Sequence, residues 1–531
     1  MPFRISRRLA PRTSRSRDEK DARALDLVRD DASLVLQAKG GLPPESQFQH
    51  LSRRLLAFGV ETRGILPVRP DDRTDPQFYK VFFLWLSANC NVLSFSAGTL
   101  GPIAFGLNFR DTALCILGFN IIGIIIPAYF STFGPKLGLR QMVQARYTFG
   151  FWLTMLPAGL NLATMMGYLV LSCILGGSLL SSASVGFDAT TGERRGGISW
   201  DVGIIIISLI GLTVRQVLHN PPWLIRLRSY ERFAWIPVTI VYLIAVGVNA
   251  HRIIPDSGLP AATAPQILSF GSTVVGFVIS YCGLSSDFTT YMRSDISAHK
   301  VFWYTYFGFM TPIVLVQLLG AAFAASFMAN PAWAMGYETK SLSGLLHAIL
   351  RPAGDHFSRF LLVVLAFSVI ANVSPTLYSC SLSLQVFLPF DATLRIPRYL
   401  LSTVATAALV PLAILAANYF EVALANFLGL IGYWSAIFGA VVFVEHVVFR
   451  QCDFGQYDVD AWDTPSKLPP GVAALASCAV GAGFCVLCME QVWFTGPIAK
   501  TTGDLAVELG FVSAGVVYVP LRYLERKISS R

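Results

Sequence analysis

Apolar stretches about as long as a lipid bilayer is thick recur along this chain, and no other feature constrains its fold as strongly. Windows of about 19 residues pick out twelve, near 81–107, 112–131, 150–180, 201–218, 233–250, 267–291, 301–328, 360–388, 397–416, 422–446, 471–490 and 505–521, numbered here as spans 1 to 12. A helix rises about 1.5 Å per residue, so roughly 20 apolar residues cross the hydrocarbon core. Only 14% of the 531 residues are charged, where soluble domains carry about 25%. That shortage excludes an ordinary soluble enzyme, a disordered chain and a collagen-like fibre. The expected fold is an all-α polytopic membrane protein: residues 1–80 form an N-terminal tail, 81–521 a twelve-helix domain, and 522–531 a C-terminal tail.

Lys and Arg orient the spans. Thirteen fall in even-numbered loops and 8 in odd ones, and the two tails add 20 to the even side. Basic residues favour the cytoplasmic side, which places both termini there, with the loops around Lys136, Arg140 and Arg146 and around Arg226, Arg228 and Arg232; residues 181–200 fall outside the cell. The net charge of +9 does not point to nucleic acid. The first 80 residues hold 16 basic and 11 acidic side chains, without a continuous basic run or interleaved aromatics. That pattern suits a solvated tail near acidic lipid head groups. With no apolar h-region in the tail, span 1 is expected to do the targeting.

The residues of cofactor and covalent chemistry are scattered. Eight of nine cysteines sit in apolar runs, and Cys485 and Cys488 form a C-x-x-C inside span 11 with no second pair, which reads as packing. No H-E-x-x-H, P-loop or G-x-G-x-x-G occurs, and Asn372-Val373-Ser374 is a glycosylation sequon at membrane depth. No metal, cofactor or enzyme reaction is expected.

Two spans are interrupted. Span 1 contains Ser94-Phe95-Ser96-Ala97-Gly98-Thr99-Leu100-Gly101-Pro102, and span 6 contains Ser280-Tyr281-Cys282-Gly283-Leu284-Ser285-Ser286-Asp287. Such breaks free backbone groups that hydrocarbon cannot satisfy, so they persist where they line a cavity or are buried in protein. Spans 1 and 6 are five apart, as the openings of a five-plus-five inverted repeat with substrate at the midplane would be; the plain alternative is that long helices bend at Gly and Pro. Polar residues at helical spacing add three stripes: Ser87, Asn91, Ser94 and Gly98 on span 1; Asn161, Thr164, Tyr168 and Ser172 on span 3; Asn372, Thr376, Ser379 and Ser383 on span 8. They either line a path, with Asn91, Asn161 and Asn372 prominent, or hold helices together. Asp287 is either a proton-binding carboxylate or an acceptor for loosened backbone donors. Glu231 either carries the coupling proton or sits at the interface beside Arg232 or Arg228, and Glu421 and Glu445 flank span 10 as interfacial groups.

Specific blocks of the chain resemble the fungal purine–cytosine permeases of the nucleobase–cation symporter-1 family. They are Leu86-Ser87-Ala88-Asn89-Cys90-Asn91 through Thr99-Leu100-Gly101-Pro102, Gly134-Pro135-Lys136-Leu137-Gly138 to Arg140-Gln141-Met142, and Gln144-Ala145-Arg146-Tyr147. Tyr230-Glu231-Arg232-Phe233-Ala234-Trp235-Ile236-Pro237, Gly432-Tyr433-Trp434, Tyr457-Asp458 and Lys467-Leu468-Pro469 extend the match over roughly residues 65–490. The resemblance implies the five-plus-five repeat with two added C-terminal helices, import by alternating access, and coupling to a proton rather than sodium. Carried over by position, the substrate residues are Ser94, Tyr168, Ser172, Tyr281 and Thr376, with Asp287 or Glu231 carrying the proton. The chain departs from the family at four of these positions. Tyr168 and Tyr281 stand where Trp is usual, and Ser172 and Thr376 replace amides. One hydroxyl cannot make the paired donor–acceptor contact of an amide with a base edge. The expectation is import of a purine- or cytosine-type nucleobase or a similar flat heterocycle at the plasma membrane. The alternatives are a B6 vitamer, a nucleoside or a specialised metabolite, and, in another class, a non-transporting nutrient sensor.

Overall fold

The computed structural model describes residues 64–187, 194–217, 230–253, 260–327, 329–388 and 398–529. Most of the expected N-terminal tail, and Arg226 and Arg228, lie outside these residues. Among them, eight helices are long and apolar enough to cross a bilayer: Phe109–Leu137, Met155–Ser184, Ala264–Gly283, Ala298–Ser326, Asp355–Phe387, Leu400–Tyr419, Val422–Phe449 and Ala506–Ser529. A further crossing is the pair Lys80–Asn89 and Val92–Ala104, bent by 56°. Three shorter apolar helices, Trp200–Val214, Trp235–Asn249 and Val472–Cys488, fall on spans 4, 5 and 11. Each expected segment therefore carries an apolar helix. The last continues to Ser529, beyond the boundary expected at 521.

Span 6 is buried over 83% of its apolar window and span 12 over 33%, so span 6 is central and span 12 peripheral. Spans 1 and 7, 3 and 8, and 6 and 10 pack in pairs. Large apolar side chains on the outer surface, such as Ile122, Leu243, Leu315 and Leu415, match a hydrocarbon surround.

The span 6 break lies where the sequence placed it: the α-helix stops at Ile279 and gives way to 3-10 turns Ser280–Gly283 and Ser285–Phe288. The span 1 break does not. Helix continues through Ser94–Pro102, and the bend falls at Cys90 and Asn91. Asn91 explains this, because its side chain accepts from Ser94 N and restarts the helix as an N-cap. The small residues after it serve packing. A Cβ on Gly98 would strike the backbone carbonyl of Gln317 on span 7. Gly98→Val is therefore expected to cost about 1–3 kcal/mol through overpacking, read as a lower melting temperature of the purified protein in detergent. An unchanged melting temperature would show that spans 1 and 7 can separate freely.

The loop arginines are buried anchors. Arg140 and Arg146 are 1% and 2% exposed. Arg73 donates to the carbonyls of Val68, Pro135, Lys136 and Leu137, closing the end of span 2. Arg146 donates to the Trp462 carbonyl at 3.0 Å and lies over the Phe151 ring. Burial pulls its pKa down to about 10, with Asp463 and Tyr147 acting in the opposite direction, so it keeps its charge at neutral pH.

Candidate functional site

The two breaks meet, and Tyr281 joins them. Its hydroxyl donates to Asn89 Oδ1 at 3.0 Å, at the end of the first half of span 1. It accepts from Asn372 Nδ2 of span 8 at 3.3 Å, and the same amide reaches the Ala88 carbonyl at 3.2 Å. The polar groups of spans 1, 6 and 8 are thus spent on one another at the level where regular helix is lost. Asn161 of span 3 acts similarly, donating to the Gly283 carbonyl at 3.2 Å and to Ser383 Oγ at 2.8 Å. Buried backbone carbonyls need such donors in a low-dielectric interior.

Tyr168 of span 3 lies against Tyr281. The ring centroids are 5.9 Å apart at an interplanar angle of 25°, and the Tyr168 hydroxyl donates to the Phe277 carbonyl at 2.8 Å and pairs with Ser280 Oγ at 2.9 Å. Trp85 at 5.4 Å and Phe309 at 4.9 Å complete an aromatic box around Tyr281. A flat ring held between two faces needs about 3.5 Å on each side, so rings with centroids 5.9 Å apart must part to admit one. Trp434 of span 10 donates to Thr164 Oγ1 at 2.8 Å, bringing another aromatic residue to the span 3 stripe.

The expected substrate hydroxyls differ in their engagement. Ser94 Oγ and Ser172 Oγ are buried and have no hydrogen-bond partner among the described residues. Thr376 Oγ1 donates to the Asn372 carbonyl at 2.7 Å. Asn91 is spent locally, on Ser94 N and the Ala88 carbonyl. Gly98 and Ser87 leave the expected span 1 stripe, because the bend separates Ser87 from Asn91 and Gly98 faces span 7.

Asp287 sits in the second 3-10 turn of the span 6 break as an acceptor. Its Oδ1 takes the Gln141 N–H at 2.8 Å and its Oδ2 the Ser379 hydroxyl at 2.9 Å, while Arg140 donates to its carbonyl at 2.6 Å. It therefore ties the loop after span 2 to spans 6 and 8. Glu231 belongs to the short helix Tyr230–Phe233, and its side chain lies outside the described residues; so does that of Glu421. Among the described residues, no group of three His, Cys, Asp or Glu side chains could hold a metal ion.

Asn89, Trp85 and Phe309 are the contributors that the spacing of polar residues missed. The pair Asn89-Cys90-Asn91 was their signal: two amides one residue apart leave one to end a helix and one to begin the next.

Comparison with known proteins gives the family and the fold. Residues 67–510 match the family described as permeases for cytosine/purines, uracil, thiamine and allantoin. The chain is 34% identical over 501 residues to the purine-cytosine permease fcyB of Emericella nidulans, covering 92% of this chain and 93% of that one. It is 30% identical to the vitamin B6 transporter TPN1 of Saccharomyces cerevisiae, covering 90% and 89%. In structure it resembles Mhp1, a nucleobase-cation-symport-1 family transporter in a closed conformation with bromovinylhydantoin bound, with a TM-score of 0.64 at 14% identity, covering 88% of this chain and 96% of that one. The mostly helical fold is shared with that transporter, and this multi-pass membrane protein belongs to the permease family for cytosine/purines, uracil, thiamine and allantoin.

Proposed function

We propose that the protein is a secondary active transporter that imports a flat, polar heterocycle by alternating access, coupled to a proton, across the plasma membrane with both termini in the cytoplasm. The reading divides the chain into a tail over 1–80, a transporter domain over 81–521 and a short C-terminal segment. The observation that carries it is the Tyr168–Tyr281 ring pair at the junction of the two breaks, with the unpartnered hydroxyls of Ser94 and Ser172 on neighbouring spans. A ring ligand would enter between the tyrosines, and its polar edge would take up those hydroxyls and Thr376. Buried hydroxyls left unpaired cost about 1–3 kcal/mol each, so a ligand that pairs them recovers binding energy at that point.

A nucleobase of the purine or cytosine type is the first assignment, in keeping with the named activity of the 34% identical permease. A B6 vitamer is the second reading, favoured by hydroxyls at 172 and 376 in place of amides and by likeness to a B6 transporter. Asp287 is proposed to carry or position the coupling proton through its contacts to Gln141 and Ser379, and Glu231 is the other candidate.

Uptake of labelled cytosine, adenine, hypoxanthine, uracil, a nucleoside and pyridoxine in permease-deficient yeast at acid pH, with and without a protonophore, tests this reading. Protonophore-sensitive uptake of a base supports the first assignment, and of pyridoxine alone the second. Binding without uptake would make the protein a sensor. Ser172→Asn with Thr376→Asn is expected to raise base uptake, since a bidentate edge contact adds about 1–3 kcal/mol of discrimination. No change at normal surface level would place these two residues away from the ligand.

A further inference from the structure

A sizeable cavity lies away from the tyrosine pair. It encloses about 610 Å³, within the about 300–1,000 Å³ typical of small-molecule sites. Its walls come from the second half of span 1, the start of spans 6 and 10, and the connection between spans 11 and 12. In the proposed orientation it opens to the cell exterior. Its reach along span 6 ends at Thr273, eight residues before Tyr281, or roughly 12 Å along a helix.

The connection between spans 11 and 12 is locked in place. A short hairpin pairs Glu490–Gln491 with Phe494–Thr495. Asp504 accepts from Ser272 Oγ of span 6 at 3.2 Å, from the backbone of Glu490 at 3.0 Å and of Ala506 at 2.9 Å, and from the Tyr433 hydroxyl of span 10. Ser269 donates to Glu490 at 2.6 Å, and Val492 N donates to Asn426 Oδ1 at 3.1 Å.

This relay fixes the amide of Gln491. The Tyr433 hydroxyl spends its proton on Asp504, so it accepts from Gln491 Nε2 at 2.6 Å. A Cβ on Gly429 would strike that nitrogen, so the glycine leaves room for it. Gln491 is 8% exposed and lines the cavity, and its Oε1 has no partner among the described residues. The Thr99 hydroxyl spends its proton on the Ser96 carbonyl at 2.8 Å and keeps its lone pairs. Glu490 and Asp504 line the same cavity, and among the described residues no basic side chain lines it with them. The walls accept hydrogen bonds more than they donate them.

We infer that this cavity is a second, outer binding subsite for an uncharged or cationic ring bearing N–H donors, with Gln491 Oε1 as its reader. The transported ligand occupies it before reaching the tyrosine pair. The assignment of the ligand class rests on the proposed transport function; the site itself rests on the hairpin and its relay.

The test is equilibrium binding of labelled cytosine, adenine and pyridoxine to the purified full chain in lipid nanodiscs. Two sites per chain are expected, one weakened in Gln491→Leu and the other lost in Tyr281→Ala. Loss of the one hydrogen bond is expected to weaken the outer site about tenfold. A single site, abolished by Tyr281→Ala and indifferent to Gln491→Leu, overturns the outer subsite and leaves the central reading standing. A site that responds only to Gln491→Leu supports the subsite and sinks the central reading. No binding of any probe overturns both. Should Gln491→Leu fail to reach the membrane, Thr99→Cys offers a second measurement. Ligand should slow its reaction with a membrane-impermeant thiol reagent even in the Tyr281→Ala background, and equal rates with and without ligand there would also overturn the subsite.

Discussion

Replacing Tyr281 by alanine is expected to reduce substrate uptake at least about a hundredfold at unchanged surface level. Three contributions add. The ring lies face-on to Tyr168 at 5.9 Å and is boxed by Trp85 and Phe309, and an aromatic pair is worth about 0.5–1.5 kcal/mol beyond its burial. The hydroxyl also holds Asn89 and Asn372 together across spans 1 and 8, each bond contributing about 1 kcal/mol. About 2.8 kcal/mol in all corresponds to a hundredfold. Tyr281→Phe separates the terms: it keeps the stacking face and releases the two amides, about 2 kcal/mol, so roughly a thirtyfold loss is expected. Initial rates over a substrate series, normalised to surface protein, measure both. Wild-type uptake by the alanine variant would remove the span 6 aromatic residue from the substrate path.

The second large effect is on stability. Glu445 is 1% exposed and receives Arg522 at 3.0 Å, Arg450 at 3.2 Å and the Tyr518 hydroxyl at 2.9 Å. Removing one partner of a buried ion pair costs about 3–5 kcal/mol, because the other charge stays buried. Arg522 would keep Glu525 at 2.7 Å, so Glu445→Ala is expected at the lower end, about 3 kcal/mol. This should appear as a marked drop in melting temperature and in monodisperse yield. Glu445→Met with Arg522→Met should recover part of that loss, since neither charge is then buried unpaired. A single variant as stable as the parent would mean that water reaches this end of span 12.

Glu445 also shows where reading the chain stops. By position it flanks span 10 and looks like an interfacial carboxylate. In the structure, the terminal helix lays Arg522 and Tyr518 over it and takes it out of solvent. Nothing near residue 445 announces a partner 77 positions later. Asn91 is a second case. Its spacing from Ser87 and Ser94 suggests one polar face, but it caps a helix start, so the bend comes seven residues before Gly98, the first of the glycines and proline that suggested it. Asp287 accepts from Gln141 N and from the Ser379 hydroxyl, contacts to two other elements that no spacing in the sequence announces. The aromatic faces at Tyr168 and Tyr281 were legible through resemblance, and they do meet.

The amino-acid sequence by itself determined the number and position of the apolar helices, the presence of breaks in spans 1 and 6, and the family. These follow from constraints that act locally: hydrocarbon demands an apolar run of fixed length, and it excludes unpaired backbone except beside polar protein. Only the tertiary structure decided which amides close the breaks, how near the tyrosine rings lie, and that the connection between spans 11 and 12 walls a cavity. Those outcomes join residues separated by 58 to 284 positions. Within hydrocarbon every buried polar group must find some partner, but which partner it finds is set by helix packing, and no local pattern encodes that.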